Sequence, residues 1–319
     1  MPDKTRATGE RFGYGWTAAG VPPPVTTPGK YHLDVMQTAV QAPPFQGLIL
    51  DAGCGDGVDL ATTGLTGGCR VVGVELSDGG VIASGSRIAS IDRAHLVQGS
   101  VLALPFPSAM FDGAYSYGVV HHTVDPEGAV REIARTLKPG GRLLIYVYEA
   151  FDRRSFPWRV ALATVNAVRQ PISAMSPAAI RRVCVVLAPF VYITCTIPSR
   201  HFAWAKNFPY PATQNRNMKS LIPDLYDRFA APIEKRYTER GARGLVEQAG
   251  LQVRRMANVR GWILWAEKPL GSRPDREVIK CLSLVGPSAP PPALGTCRTG
   301  SPHCPGIRVA VRLADHRSR

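Results

Sequence analysis

The chain has 319 residues, 45% hydrophobic and 19% charged, which excludes a wholly disordered polypeptide. Its 38 Lys and Arg against 24 Asp and Glu give a formal charge of +14, a balance that invites nucleic acid or an acidic membrane as partner. The charge is uneven: residues 1–150 hold 11 basic and 14 acidic side chains, residues 151–270 hold 19 and 7, and residues 271–319 hold 8 and 3.

Residues 1–44 form an N-terminal extension. Arg11-Phe-Gly-Tyr-Gly-Trp16 is an aromatic–glycine segment, residues 20–29 are Pro-rich and read as loop, and Tyr31 to Val40 reads as a short helix stopped before Pro43-Pro44. The first 30 residues lack the apolar core of a secretory signal, so a cytoplasmic location is expected. The seven cysteines are odd in number and contain no C-x-x-C pair, so neither a disulfide framework nor a metal site is signalled.

Regular α/β order occupies residues 45–150. Leu48-Ile-Leu50 is a continuous apolar run, as in a strand buried on both faces. A glycine loop, Gly53 to Gly57, feeds a helix that runs to about Leu65. Arg70 to Glu75, His95 to Val97, Gly113 to Tyr117 and Arg142 to Tyr148 read as four more strands. Between them lie a helix from Asp78 to Ile88 and a clearer one capped by Asp125, with Pro126 at its first position. Val130, Ile133, Ala134 and Leu137 give that helix one apolar face, and Pro139-Gly140-Gly141 ends it. Such alternation implies a parallel sheet covered on both sides.

Residues 151–238 read as a helical insertion with basic flanks. Trp158, Leu162 and Val165 share one helical face, while Arg159, Asn166 and Arg169 lie elsewhere. The apolar run Val183 to Ile197 contains Pro189 and is shorter than the ~18 residues of a spanning helix. The α/β pattern returns over residues 239–270: Ala242, Leu245, Val246 and Ala249 make a helical stripe, followed by strands at Leu251 to Asn258 and Trp262 to Ala266. Residues 271–319, broken by Pro and Gly, read as a disordered tail.

The strongest chemical signal is Leu48-Ile-Leu-Asp-Ala-Gly-Cys-Gly-Asp-Gly57 with Glu75 at the end of the next strand. Glycines let a backbone turn sharply and approach a ligand, and a strand-end acid can accept hydrogen bonds from a ribose diol. A dinucleotide fingerprint would need glycine where Val58 stands, and no Tyr-x-x-x-Lys occurs, which disfavours an NAD(P)-dependent oxidoreductase.

With these pieces in order, residues 45–150 resemble the class I S-adenosylmethionine (SAM)-dependent methyltransferases, of the broad type that includes the ubiquinone/menaquinone-pathway enzymes. The resemblance rests on LILDAGCGDG, VVGVELS, HLVQGSVLALPFPSAMFDGAYSYGVVHHT and EIARTLKPGGRLLIYVYE. It implies a Rossmann-like, doubly wound, mostly parallel seven-stranded sheet with an antiparallel last strand, and a helical insertion between strands five and six. It implies methyl transfer from SAM to a small-molecule acceptor, with a non-catalytic SAM-binding protein as the alternative. It further implies that Asp51, Gly53 and Gly55 hold the methionine part of SAM. Glu75 would bind the ribose, Leu76 would pack on adenine, Ser100 and Val101 would meet the adenine edge, and Tyr117 would face the reacting methyl. Ser100 stands where the family usually has Asp.

His121 and His122 follow the fourth strand, and either is a candidate general base because histidine titrates near neutral pH. Asn207-Phe-Pro-Tyr210 resembles an N-P-P-Y signature but lies ~90 residues beyond where that signature belongs, so chance explains it. Asp224 and Asp227 flank Tyr226 in a segment similar to one found before the last helix of related methyltransferases, which fits either the acceptor pocket or the surface. The basic insertion reads as a lid over a hydrophobic or acidic acceptor, or as a peripheral membrane contact through residues 151–200. In the second reading Phe156 and Trp158 would insert, and Arg153, Arg154, Arg159, Arg181 and Arg182 would meet headgroups. Nucleic acid is disfavoured, since no compact basic run or RNA-binding motif occurs.

Overall fold

The computed structural model describes residues 4–18, 20–207, 210 and 217–271. The expected disorder of the tail beyond residue 271 therefore falls outside the described residues, as do Phe208 and Pro209 of the N-F-P-Y segment.

Seven strands form one sheet in the order β3-β2-β1-β4-β5-β7-β6. They are β1 (Gly47–Ala52), β2 (Cys69–Glu75), β3 (Ala94–Gln98), β4 (Phe111–Tyr117), β5 (Leu137–Val147), β6 (Gln252–Asn258) and β7 (Trp262–Glu267). The first five run parallel, while β7 is antiparallel to both β5 and β6, as the resemblance implied. Alternate residues of β1 serve opposite faces: Leu50 and Ala52 join one apolar core, and Ile49 joins the other. Helices α2 (His32–Val40), α3 (Val58–Leu65), α4 (Asp78–Arg87), α5 (Pro126–Thr136) and α10 (Glu239–Glu247) cover the sheet. Side-chain caps start three of them: Ser77, Asp125 and Thr238 accept from Gly80, Gly128 and Gly241 amides.

Three readings of the sequence are corrected. The aromatic–glycine segment is part of a helix, α1 (Lys4–Thr17). Its glycines are contact sites, because a Cβ on Gly13 would lie 2.5 Å from the Ser77 hydroxyl where α1 crosses α4. In α6 (Phe156–Ser173), Arg169 turns inward and Val165 is exposed. The reason is Glu234, nearly sealed from solvent, which pairs with Arg169, Arg228 and Arg236 at 3.5, 3.0 and 2.7 Å. Third, the apolar run Val183 to Ile197 is part of a longer helix that passes through Pro189. α7 (Pro177–Val191) continues through a π-helical turn at Tyr192–Thr196 into α8 (Ile197–His201). This 25-residue run is long and apolar enough, by length and composition, to cross a membrane. Its inner face, Ile180, Cys184 and Ala188, packs on Leu221 and Leu225 of α9 (Met218–Ala230).

Candidate functional site

A cavity of about 260 Å³ opens at the carboxyl ends of β1, β2 and β4. There β1 lies between β2 and β4, the point at which strand order reverses and ligands bind in open α/β sheets. The glycine loop makes part of its wall. Gly53 has φ +89°, and a Cβ there would lie 2.5 Å from Val119, so the loop admits only glycine at that position. Asp51, Gly53, Gly55, Glu75, Leu76, Ser100, Val101 and Tyr117 all line this cavity.

The carboxylates here are held in defined geometry. Asp51 Oδ2 accepts from the Tyr115 hydroxyl at 2.9 Å, and burial followed by the charge of Asp59 pushes its carboxyl well up. Glu75 Oε1 accepts from the Ser77 amide and hydroxyl at 2.8 and 2.7 Å, and Oε2 from the Gly55 amide at 3.2 Å. Burial outweighs these bonds and pushes Glu75 up to about 7. Ser100 Oγ accepts from the Leu102 amide at 3.2 Å, so the hydroxyl proton remains to be donated.

α1 roofs the cavity with Thr5, Thr8, Gly9, Phe12 and Trp16, all from one helical face. The cavity also carries an aromatic group, His32, Tyr117, His122 and Tyr148, together with Asp227. His32 stacks on Tyr117 at 4.0 Å, and Tyr117 on Tyr146 at 4.5 Å. His32 Nδ1 lies 2.7 Å from Asp59 Oδ2, while Asp59 Oδ1 accepts from the Leu33 amide at 3.0 Å. Burial alone would lower the pKa of His32, but the Asp59 hydrogen bond and nearby carboxylates raise it overall. Asp227 is pushed up to about 7 by burial and by Asp224.

The two candidate bases after β4 separate. His121 is fully buried, does not line the cavity, and neither ring nitrogen has a hydrogen-bond partner. Burial holds its pKa well down, and because it is sealed from the cavity it cannot reach an acceptor, which corrects the expectation for that residue. His122 reaches the cavity, but its Nδ1 lies 2.6 Å from the Ile233 carbonyl and burial lowers it to about 4. The His32–Asp59 pair escaped the sequence reading because its members lie 27 residues apart on α2 and α3, with no motif linking them. Of the Asp224/Asp227 pair, Asp227 lines the cavity.

Residues 50–145 match the family described as "Methyltransferase domain". This chain carries a class I SAM-dependent methyltransferase domain. It is similar to 24-methylenesterol C-methyltransferase 2 of Oryza sativa subsp. japonica, 34% identical over 37% of this chain and 33% of that protein. It is also similar to 27-O-demethylrifamycin SV methyltransferase of Amycolatopsis mediterranei, 31% identical over 30% of this chain and 37% of that one. Among solved structures, a SAM-dependent methyltransferase from Aquifex aeolicus is 14% identical, with a TM-score of 0.40, over 69% of this chain and 81% of that one. The match spans about a third of the length of the curated relatives.

The methyltransferase domain's cavity fits its cofactor electrostatically. Asp51, Asp56, Asp59, Glu75 and Asp227 line it, and no Lys or Arg does among the described residues. Clustered carboxylates, two of them buried, favour a cationic ligand, and SAM carries a sulfonium and an ammonium. A ribose diol donates to ionised Glu75. Affinity for SAM should therefore fall about tenfold from pH 8 to pH 6, as Glu75 protonates through about 7. Binding near pH 7 should release protons, read by calorimetry in buffers of different ionisation heat. Glu75→Ala should weaken binding roughly 10- to 100-fold and flatten that pH dependence. Affinity that rises on acidification would refute the role given to Glu75.

Proposed function

We propose that this domain methylates an apolar small molecule at an ionisable O–H or N–H group, with His32 as general base. The observation that carries the reading is one continuous cavity lined by the acidic glycine loop, by aromatic side chains and by the His32–Asp59 pair. Bound SAM supplies a methyl group already activated by its sulfonium. The chain must then align an acceptor and remove one proton. Phe12, Tyr117 and Tyr148 line the cavity with aromatic surface suited to an apolar acceptor. The hydrogen bond to Asp59 fixes the Nδ1–H tautomer of His32, so Nε2 is the nitrogen that accepts the acceptor's proton. Asp227 faces the same space and can hold a hydroxyl or amine by hydrogen bonding.

The names of the relatives include both C- and O-methyltransferases, so the acceptor atom is argued from the site. His32, which Asp59 raises, and Asp227, pushed up to about 7, serve an acceptor that loses a proton. The test is release of S-adenosylhomocysteine by the full chain with a panel of phenols, hydroxylated polyketides, aryl amines and alkenes. Phenols, alcohols or amines should be turned over, faster at pH 8 than at pH 6 because His32 must be unprotonated. Preference for alkenes, which have no exchangeable proton at the reacting atom, would overturn the reading.

A further inference from the structure

We propose that the outer faces of α6 and of the continuous α7–α8 helix form a docking surface for an anionic lipid bilayer. The inner face of α7 is occupied by α9, but its outer face is bare: Val186, Phe190 and Ile193 are 76%, 67% and 62% exposed. Their spacing of four and three residues places them on one side of the helix. α6 has no fully buried residue among those described, and Phe156 at its start is 73% exposed. Beyond α8, exposed Phe202 and Trp204 stack on one another, giving an aromatic edge of the kind that sits at headgroup level.

Charge selects the occupant. Residues 153–223 contain ten Lys and Arg and no Asp or Glu. Some of these cations are spent inside the fold: Arg153 and Arg154 pair with Glu239 and Glu149, and Arg169 with Glu234. Arg159, Arg181 and Arg182 form no ion pair among the described residues; Arg159 and Arg182 are exposed, Arg159 one turn after Phe156 and Arg182 one turn before Val186, while Arg181 is half-buried toward the inner face. A second copy of this chain meeting face to face would set cation against cation with no acid in the segment to answer it. An anionic bilayer answers both halves of the surface, its phosphates taking the arginines and its acyl boundary the apolar side chains. The helix lies on the surface and does not cross it, because Ile180, Cys184 and Ala188 are committed to α9. The inserting residues also differ from the sequence expectation: Trp158 is half-buried on the face it shares with Leu162, leaving Phe156, Phe190 and Ile193 to insert. α9, directly behind α7, carries Asp227 into the cavity, so docking would bring the cavity near the bilayer.

The experiment is flotation of the full chain with phosphatidylcholine vesicles and with vesicles containing 30% phosphatidylglycerol. The expected result is at least tenfold stronger partitioning onto the anionic vesicles, weakened by high salt. Arg159→Glu/Arg182→Glu, both at exposed positions, should lower it roughly 30-fold. Phe190→Ser/Ile193→Ser, at exposed positions, should abolish it with the thermal melt unchanged. A folded chain that stays off anionic vesicles would overturn the proposal. So would undiminished partitioning of the Phe190→Ser/Ile193→Ser variant, or a dimer in size-exclusion chromatography that this variant dissolves.

Discussion

Replacing His32 by alanine should lower turnover about 10²- to 10³-fold while leaving SAM affinity within about threefold. The split follows from position. His32 stacks on Tyr117 and pairs with Asp59, whereas Glu75 is held by Ser77 and the Gly55 amide. Asp59 holds Nδ1 at 2.7 Å and is itself held by the Leu33 amide, so the imidazole is oriented before an acceptor arrives. Asp59→Asn keeps the shape but loses the charge. It should shift the rise of rate with pH to lower pH, because ionised Asp59 is what raises His32. Single-turnover rates across pH 6–9 read both effects. If His32→Ala turns over at the wild-type rate, proton removal by this residue is wrong. His122→Ala then becomes informative, because His122 also lines the cavity, although burial has lowered it to about 4.

Glu234→Ala should destabilise the fold by about 3–5 kcal/mol, since removing one partner of a buried ion pair strands the other. Here one carboxylate, 2% exposed, answers three guanidiniums that are 12–17% exposed. Burial pushes Glu234 up, but Arg228, Arg236 and Arg169 together pull it below the usual carboxylate value. Arg236 also donates to the Glu149 carbonyl and lies over the Tyr148 ring, so the cluster ties the insertion to the aromatic lining of the cavity. A thermal melt should show a loss on the order of 10 °C. The contribution of a depressed carboxylate is present above its unfolded pKa and is lost as pH falls through the folded one. The wild type should therefore lose stability below about pH 4.5 more steeply than the variant. A melt lowered by less than about 3 °C would show that the three arginines find water or other partners.

How much of this could be read in the chain depended on the kind of signal. β1, its glycine loop and Glu75 were legible because strands buried on both faces read as unbroken apolar runs, and because a loop followed by a strand-end acid has one common use. α1 was illegible because Gly9, Gly13 and Gly15 look like breakers until α4 and Tyr226 are seen pressing against them. Arg169 was placed on the wrong face because periodicity sorts apolar from polar, and its partner Glu234 lies 65 residues away. The α7–α8 run was read as too short because only the uncharged stretch Val183 to Ile197 was counted, whereas the helix extends at both ends through Arg181, Arg182 and Arg200 and passes through Pro189. His32 carried no motif at all, since its role depends on two helices meeting at the mouth of the sheet.

The most direct measurement is calorimetric titration of the full chain with SAM and, separately, with NAD at pH 8. The expected result is one saturable site for SAM, filled by about 1 mM, no saturable heat with NAD, and loss of most SAM affinity in Glu75→Ala. Saturable binding of NAD with none of SAM, or SAM binding untouched by Glu75→Ala, would contradict the assignment of this cavity.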